Sequence, residues 1–344
     1  MVGVWTSSMN GAPWTKGKMD QAVKQLRERA LISYVIDVDK PRDLLDLDQH
    51  IFAKRPDLIL SVSQVDMKGR YTKELLHIIS ELQHITALQL NLIHSIDLSV
   101  LSKLERLQFL SITTKKPVDL SFISSFKELQ YLSVHGKYAD LTPIGDASSL
   151  DTLILRTTIH ELEFIRRLPK LQCFFIHDSI LNGSLDALAD SSVTMLSLAA
   201  IRNLSELDVL ASMQNLAYLR LSLPKVKALC DFTNMYKLRQ LELDQMKALE
   251  HIAPLWAVPQ LEMLELRELS ATVTAKDLEP LTGMEHLKQV DFQFIDFNKG
   301  RITRLREWFA QAGKSQLLYE NIPEAKRIRP MSLVHLRKHI GSDQ

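Results

Sequence analysis

The chain has 344 residues, of which 46% are apolar and 24% charged, with a net charge of +1. Leucine fills 58 positions and glycine only 11, a composition that excludes disordered, collagen-like and disulfide-scaffolded chains. The charge is unevenly spread: residues 1–56 carry +2, residues 57–298 carry −7 and residues 299–344 carry +6. The long acidic middle argues against a broad phosphate-binding surface, and so against nucleic acid as the partner.

In chain order, the first elements are irregular. Residues 19–30 and 42–53 carry helical spacing, YVIDV at 34–38 and LILSV at 58–62 read as strands, and 71–82 reads as a further helix. A single unit, L-x-x-L-x-L, then takes over. Its first position falls at Ile85, Leu107, Leu129, Leu150, Leu171, Val193, Leu216, Leu238, Leu261 and Leu287, at spacings of 21 to 26 residues. Examples are LQYLSV at 129–134 and LEMLEL at 261–266. A second signal follows the first in phase, as DLSVL at 97–101, DLSFI at 119–123 and DLTPI at 140–144. Alternation within the unit predicts a short strand with one buried face. Only about 10 to 12 residues remain to return to the next strand, which suits turns or short helical segments rather than long helices. One such unit cannot bury its leucines alone, so stability must come from stacking.

These residues resemble the leucine-rich repeat family over about 85–292, and the 22-residue length resembles the short subclass of internalins and protein-phosphatase regulatory repeats. The resemblance implies an α/β solenoid, a right-handed horseshoe with a parallel concave sheet. The chain departs from the family at the buried asparagine that follows the strand. Ile93, Lys115, Lys137, Thr158, Ser179, Ile201, Pro224, Met246 and Leu269 stand there instead, so the turns must satisfy their backbone polar groups by other means.

Exposed solenoid ends need covering. Residues 1–80 are taken as an N-terminal cap with degenerate repeats, 81–298 as the solenoid of about ten repeats, and 299–344 as a C-terminal helical cap with a basic tail. Ile302, Leu305, Trp308 and Phe309 line one helix face within 301–312, ended by Gly313. QLLYENI at 316–322 is compatible with a last strand. The remainder is expected to be loosely held, its basic residues solvated.

Motifs for chemistry are absent. No GxGxxG, P-loop, GxSxG or HExxH string occurs, and His160-Glu161 lacks a second histidine at the required spacing. No cofactor and no metal site is expected. The cysteines, Cys173 and Cys230, form no CxxC pair, which fits a reducing cytosol. The N-terminal residues show no secretory signal and no apolar run is long enough to span a membrane. Hydrolase or transferase chemistry would have to use Asp37 and Asp39, two residues apart, or Cys173, at a strand position expected to be accessible.

If the leucines point inward, positions 3, 5 and 7 of L-x-x-L-x-L-x point outward. They define two zones. Phe109, Tyr131, Ile154 and Phe175, with His135, Arg156 and His177 beside them, form an apolar zone with the composition of an interface hot spot. Tyr218 leads into a second zone, where Glu242, Asp244, Glu265 and Asp291 surround Arg220 and Arg267, a field that would steer a basic partner. These residues are the candidate partner-binding set. The reading is a non-catalytic protein–protein interaction module, with an inhibitor or immunity-type protein that neutralises a toxin or enzyme as the alternative. A monomer is favoured over an assembly, without the oligomeric state being fixed.

Overall fold

The computed structural model describes residues 6–11, 13–64, 70–296 and 300–341. Internal contacts divide these into two units: one holds the described residues up to Thr158, Glu163–Leu171 and those from His335 onward, and the other holds Ile159–Leu162 and Gln172–Val334. The boundary expected at 298/299 lies outside the described residues.

In the first unit seven strands pair in parallel and in sequence order: β1 (Thr6–Asn10), β2 (Leu26–Ile36), β3 (Ile59–Gln64), β4 (Ala87–Leu92), β5 (Phe109–Val118), β6 (Tyr131–Tyr138) and β7 (Thr152–Ile159). The register keeps equivalent repeat positions opposite one another, with Leu88 beside Leu110, Leu110 beside Leu132 and Leu132 beside Leu153. All four are fully buried. The helices of this unit are α1 (Lys16–Gln25), α2 (Pro41–Leu47) and α3 (Lys73–Ser80). Thr15 and Thr72 cap α1 and α3 by accepting from Lys18 N and Leu75 N.

The second unit repeats the scheme with β8 (Cys173–His177), β9 (Ile180–Leu181), β10 (Met195–Ala199), β11 (Tyr218–Ser222), β12 (Gln240–Asp244), β13 (Met263–Arg267) and β14 (Gln289–Phe294). Here β8, β10, β11, β12, β13 and β14 pair in parallel, and Phe174, Leu196, Leu219, Leu241, Leu264 and Val290 follow one another across the ladder. Helix α4 (Gly300–Gln311) packs Ile302, Leu305 and Phe309 inward. A last helix, α5, covers Met331–Ile340, of which the residues from His335 onward belong to the first unit.

The return segments are short 3-10 turns, among them Ser99–Lys103, Ser121–Ser125 and Thr142–Asp146. The second sequence signal explains them. Asp97, Asp119 and Asp140 each accept the backbone N–H two residues on, while the leucine after each aspartate enters the core. Gly136, Asp178, Ala200, Gln245 and Glu268 all have positive φ at the same repeat position, just after the L-x-x-L-x-L-x stretch. A Cβ on Gly136 would lie 1.7 Å from Thr114 O, so that turn admits no side chain.

The absent asparagine is replaced piecemeal. Met246 Sδ accepts from Leu223 N, Asn203 holds both Leu181 N and Leu181 O, and Ser179 donates to His177 O. Near the end of the second unit, Arg301 donates to the carbonyls of Leu269, Ser270, Val273 and Ile295 and pairs with Asp296. Arg55 serves Val23 O, Leu26 O and Arg27 O in the first unit. Guanidinium donors therefore close turn carbonyls that a repeating asparagine does not reach.

Several expectations need correction. The helix foreseen over 19–30 stops at Gln25, and Leu26 begins a strand whose alternate residues are buried. Residues 42–53 divide into α2 and a π turn over Asp48–Phe52. Residues 316–322 form 3-10 turns, touching the sheet through one bridge between Leu318 and Val290. The tail is not loosely held: α5 buries Ser332, His335 and His339, and Arg301 is an internal clamp rather than a solvated charge.

Candidate binding face

The outward positions of the strands are not equivalent. Position 3 of the repeat is buried throughout, by Ala87, Phe109, Tyr131 and Thr152 in the first unit and by Cys173, Met195, Tyr218, Gln240, Met263 and Gln289 in the second. Position 7 is the open edge, where His135, Arg156 and Arg267 are exposed.

In the first unit the cover is the end of the chain itself. Phe109 and Tyr131 stack in parallel with centroids 4.4 Å apart, and with Ile59 and Ala87 they form an apolar cluster on which Leu31, Ile154 and Leu336 of α5 pack. The His339 ring lies 5.4 Å from that of Tyr131, and His335 Nε2 lies 2.8 Å from Thr152 Oγ1. Phe109 and Tyr131 are thus 4% and 6% exposed. They were expected to stand free for a partner, and the apolar surface they offer is instead spent on the chain's own C-terminal helix. Ile154 is half-buried, whereas His135 and Arg156 remain exposed and adjacent in the β6–β7 register.

In the second unit the hold is polar. Gln240 donates to Arg329 O and accepts from Met331 N, and Gln289 donates to Ile328 O and accepts from Ile328 N. Each amide spends both ends on the backbone of the C-terminal segment. Tyr218 is buried, and its hydroxyl is pushed well up by burial and by the Glu242 carboxylate. Phe175 is buried and stacks on His177 at 5.3 Å, and His177 Nε2 meets Ser197 Oγ at 2.9 Å. Cys173, expected to be accessible, is fully buried.

The acidic zone comes together as a site. Arg220 reaches Glu242 at 3.7 Å and Asp244 at 3.0 Å, and Arg267 pairs with Glu265. Two guanidinium groups thus face four carboxylates, those of Glu242, Asp244, Glu265 and Asp291. Asp291 is buried, and Glu242 Oε1 is buried without a hydrogen bond. Burial raises the Glu265 carboxyl to about 7, with Glu242 and Asp291 adding to the rise and Arg267 and Arg220 opposing it. Burial likewise raises Glu242, against the pull of Tyr218 and the arginines. Glu265, Arg267 and Asp291 line a cavity of about 390 Å³ shared with Phe294, Tyr319, Glu324, Arg327 and Arg329. Phe294, 62% exposed, has the Arg267 guanidinium 5.9 Å from its ring centroid.

Of the residues considered for catalysis, Asp39 and Cys173 are buried. Asp39 accepts from Val35 N, capping the turn after β2. Cys173 and Cys230 are free, buried thiols, and burial pushes Cys230 up to about 12, which disfavours a thiolate nucleophile. Sequence reasoning missed Gln240, Gln289, Asp151, His335 and His339. The H-x-x-x-H spacing of 335–339 was visible as two imidazoles one helical turn apart.

No protein-family model and no curated protein sequence matches the chain. Solved structures do resemble it. An internalin from Listeria monocytogenes is 17% identical, with 85% of this chain and 87% of that chain covered at a TM-score of 0.48. A leucine-rich repeat protein of Leptospira interrogans is 17% identical, with 82% and 88% covered at 0.42. TLR13, in a structure of its complex with ssRNA13, is 14% identical, with 84% and 50% covered at 0.45. The in-register parallel strands, the leucine ladder and the 3-10 returns give this chain the leucine-rich repeat fold. No helix among the described residues is long and apolar enough to cross a membrane.

Proposed function

We propose that the protein is a non-catalytic binding module that receives a protein partner on the acidic face of its second unit. The carrying observation is the cluster of Glu242, Asp244, Glu265 and Asp291 on successive strands, where Arg220 and Arg267 are the paired arginines, next to a cavity that Phe294, Arg327 and Arg329 also line. Crowded carboxylates in a partly dry site are electrostatically unsatisfied, Glu242 Oε1 among them, and a partner's lysine or arginine docking on this strand face would relieve that. Phe294 and Arg267 supply the aromatic and guanidinium surface typical of an anchoring spot. His135 and Arg156, exposed on the first unit, are proposed as auxiliary contacts. Phe109 and Tyr131 are left out because α5 occupies them.

A second reading, an inhibitor or immunity-type protein, is favoured by the same excess of carboxylates, which suits blocking the basic cleft of a toxin or enzyme. The two free, buried thiols fit a reducing, cytosolic compartment. The test is affinity capture from the native lysate with the parent beside a Glu265→Gln, Phe294→Ala double variant. A protein held by the parent, released by salt and lost by the folded variant supports the acidic face. Equal retention by both would refute it. Loss of the captured protein's own activity at one-to-one stoichiometry would select the inhibitor reading.

A further inference from the structure

Helix α5 buries its polar side. Ser332, His335 and His339 point inward at 6%, 5% and 4% exposure, while Leu333, Val334 and Ile340 stand out at 42%, 50% and 39%. Leu336 packs inward on the apolar cluster, but it shares that face with the two imidazoles while three aliphatic side chains face out. Two imidazoles taken from water at the expense of three aliphatic side chains call for a strong compensating interaction. The group they meet is Asp151, from the residue just before β7.

The geometry is convergent. His339 Nε2 lies 2.9 Å and His335 Nε2 3.7 Å from Asp151 Oδ1, and the three ligand atoms all fall within 4.8 Å of one another. His339 Nε2 is buried, with the Asp151 carboxylate as its neighbour. Thr152 Oγ1 donates to Asp151 Oδ1 at 2.7 Å and lies 2.8 Å from His335 Nε2. Ligands about 2.0–2.2 Å from a tetrahedral ion stand roughly 3.3 Å apart, a separation that the observed distances bracket. Histidines four apart on one helix face are a recurrent ligand pair for zinc.

We propose that Asp151, His335 and His339 form a binding site for one zinc-class divalent cation, which fastens the end of α5 over Phe109 and Tyr131. The ion takes a lone pair from Nε2 of each neutral imidazole and from Asp151 Oδ1, leaving the fourth position to water or to the Thr152 hydroxyl. His335 carries its remaining proton on Nδ1 in the loaded form, and any proton displaced from Nε2 passes to solvent. Two nitrogens and one carboxylate oxygen suit zinc and its first-row neighbours better than calcium or magnesium. The site is independent of the acidic face proposed for partner binding.

The test uses the untagged 344-residue chain, because a polyhistidine tag would bind the same ion. Zinc(II) is titrated against a chromophoric chelator, and cobalt(II) is added separately as a spectroscopic probe. The expected result is one equivalent of zinc bound, with the intense visible bands of tetrahedral cobalt. His339→Gln and Asp151→Asn should each weaken binding at least tenfold, whereas His50→Gln, remote in the π turn, should not. His335→Cys retains a ligand atom and should retain binding, which guards against variants that only loosen the fold. Zinc should also slow amide exchange over 335–340 in the parent and not in Asp151→Asn. Substoichiometric binding, or equal affinity in the parent, His339→Gln and Asp151→Asn, would overturn the assignment.

Discussion

The side-chain amide of Gln289 accepts from Ile328 N at 2.8 Å and donates to Ile328 O at 3.1 Å, so one side chain closes both backbone polar groups of one residue. Gln240 closes two groups as well, Arg329 O and Met331 N, one on each of two residues. Both glutamines are buried, so their partners have no water to fall back on. Replacing either with leucine keeps its bulk but strands two backbone groups. Each replacement is expected to cost about 1–3 kcal/mol. Denaturant titration measures that loss, and faster amide exchange confined to 328–334 would locate it.

The stacked pair Phe109 and Tyr131 leads to a second expectation. Their rings lie 4.4 Å apart beneath Leu336 and His339, so α5 covers the apolar cluster. Tyr131→Ala removes a buried ring and should destabilise the protein by about 3–5 kcal/mol. Leu336→Asp should loosen only the cover. It is expected to increase binding of a hydrophobic dye and to speed amide exchange over 335–340, with the far-ultraviolet spectrum unchanged. Unaltered dye binding would show that the cluster is closed without the helix.

The repeat architecture was legible because leucine spacing reports a physical necessity. Leu88, Leu110, Leu132 and Leu153 must face one core, and the shared register follows from their shared positions. Alternation also identified which residues leave that core, but not what lies over them. Phe109 points outward as expected and is nevertheless 4% exposed, because a segment more than two hundred residues later returns to cover it. Nothing in a local pattern encodes that return. Gln240 and Gln289 look like ordinary polar strand residues until the backbone they hold is placed beside them. The acidic zone was more readable, since Glu242, Glu265 and Asp291 occupy equivalent positions on successive strands. Their desolvation belongs to packing and was not legible.

Accessibility of Cys173 offers a sharp chemical check. Both cysteines are buried, and a thiol reagent needs exposed thiolate. In the native protein neither should react over minutes with a colorimetric disulfide reagent, and two equivalents should react in denaturant. Fast labelling of Cys173 under native conditions would mean that position 3 of β8 opens readily.

Glu265 makes stability depend on pH in a definite direction. Its carboxyl titrates at about 7 in the folded protein, against 4.5 ordinarily, because burial and the Glu242 and Asp291 carboxylates oppose its ionisation more than Arg267 and Arg220 assist it. Between those values the folded state holds a proton that the unfolded state has released. The stability associated with the neutral carboxyl is therefore fully present below about pH 4.5 and lost as pH rises through 7. Glu265→Gln is neutral at every pH and escapes that loss. At pH 8 it should be more stable than the parent by up to about 3 kcal/mol, less whatever the Arg267 pair contributes. At pH 4 the two proteins should nearly coincide. Denaturant titrations at both values decide the matter: a parent that gains on Glu265→Gln as pH rises would show that Arg267 governs this carboxylate and that the zone is already balanced.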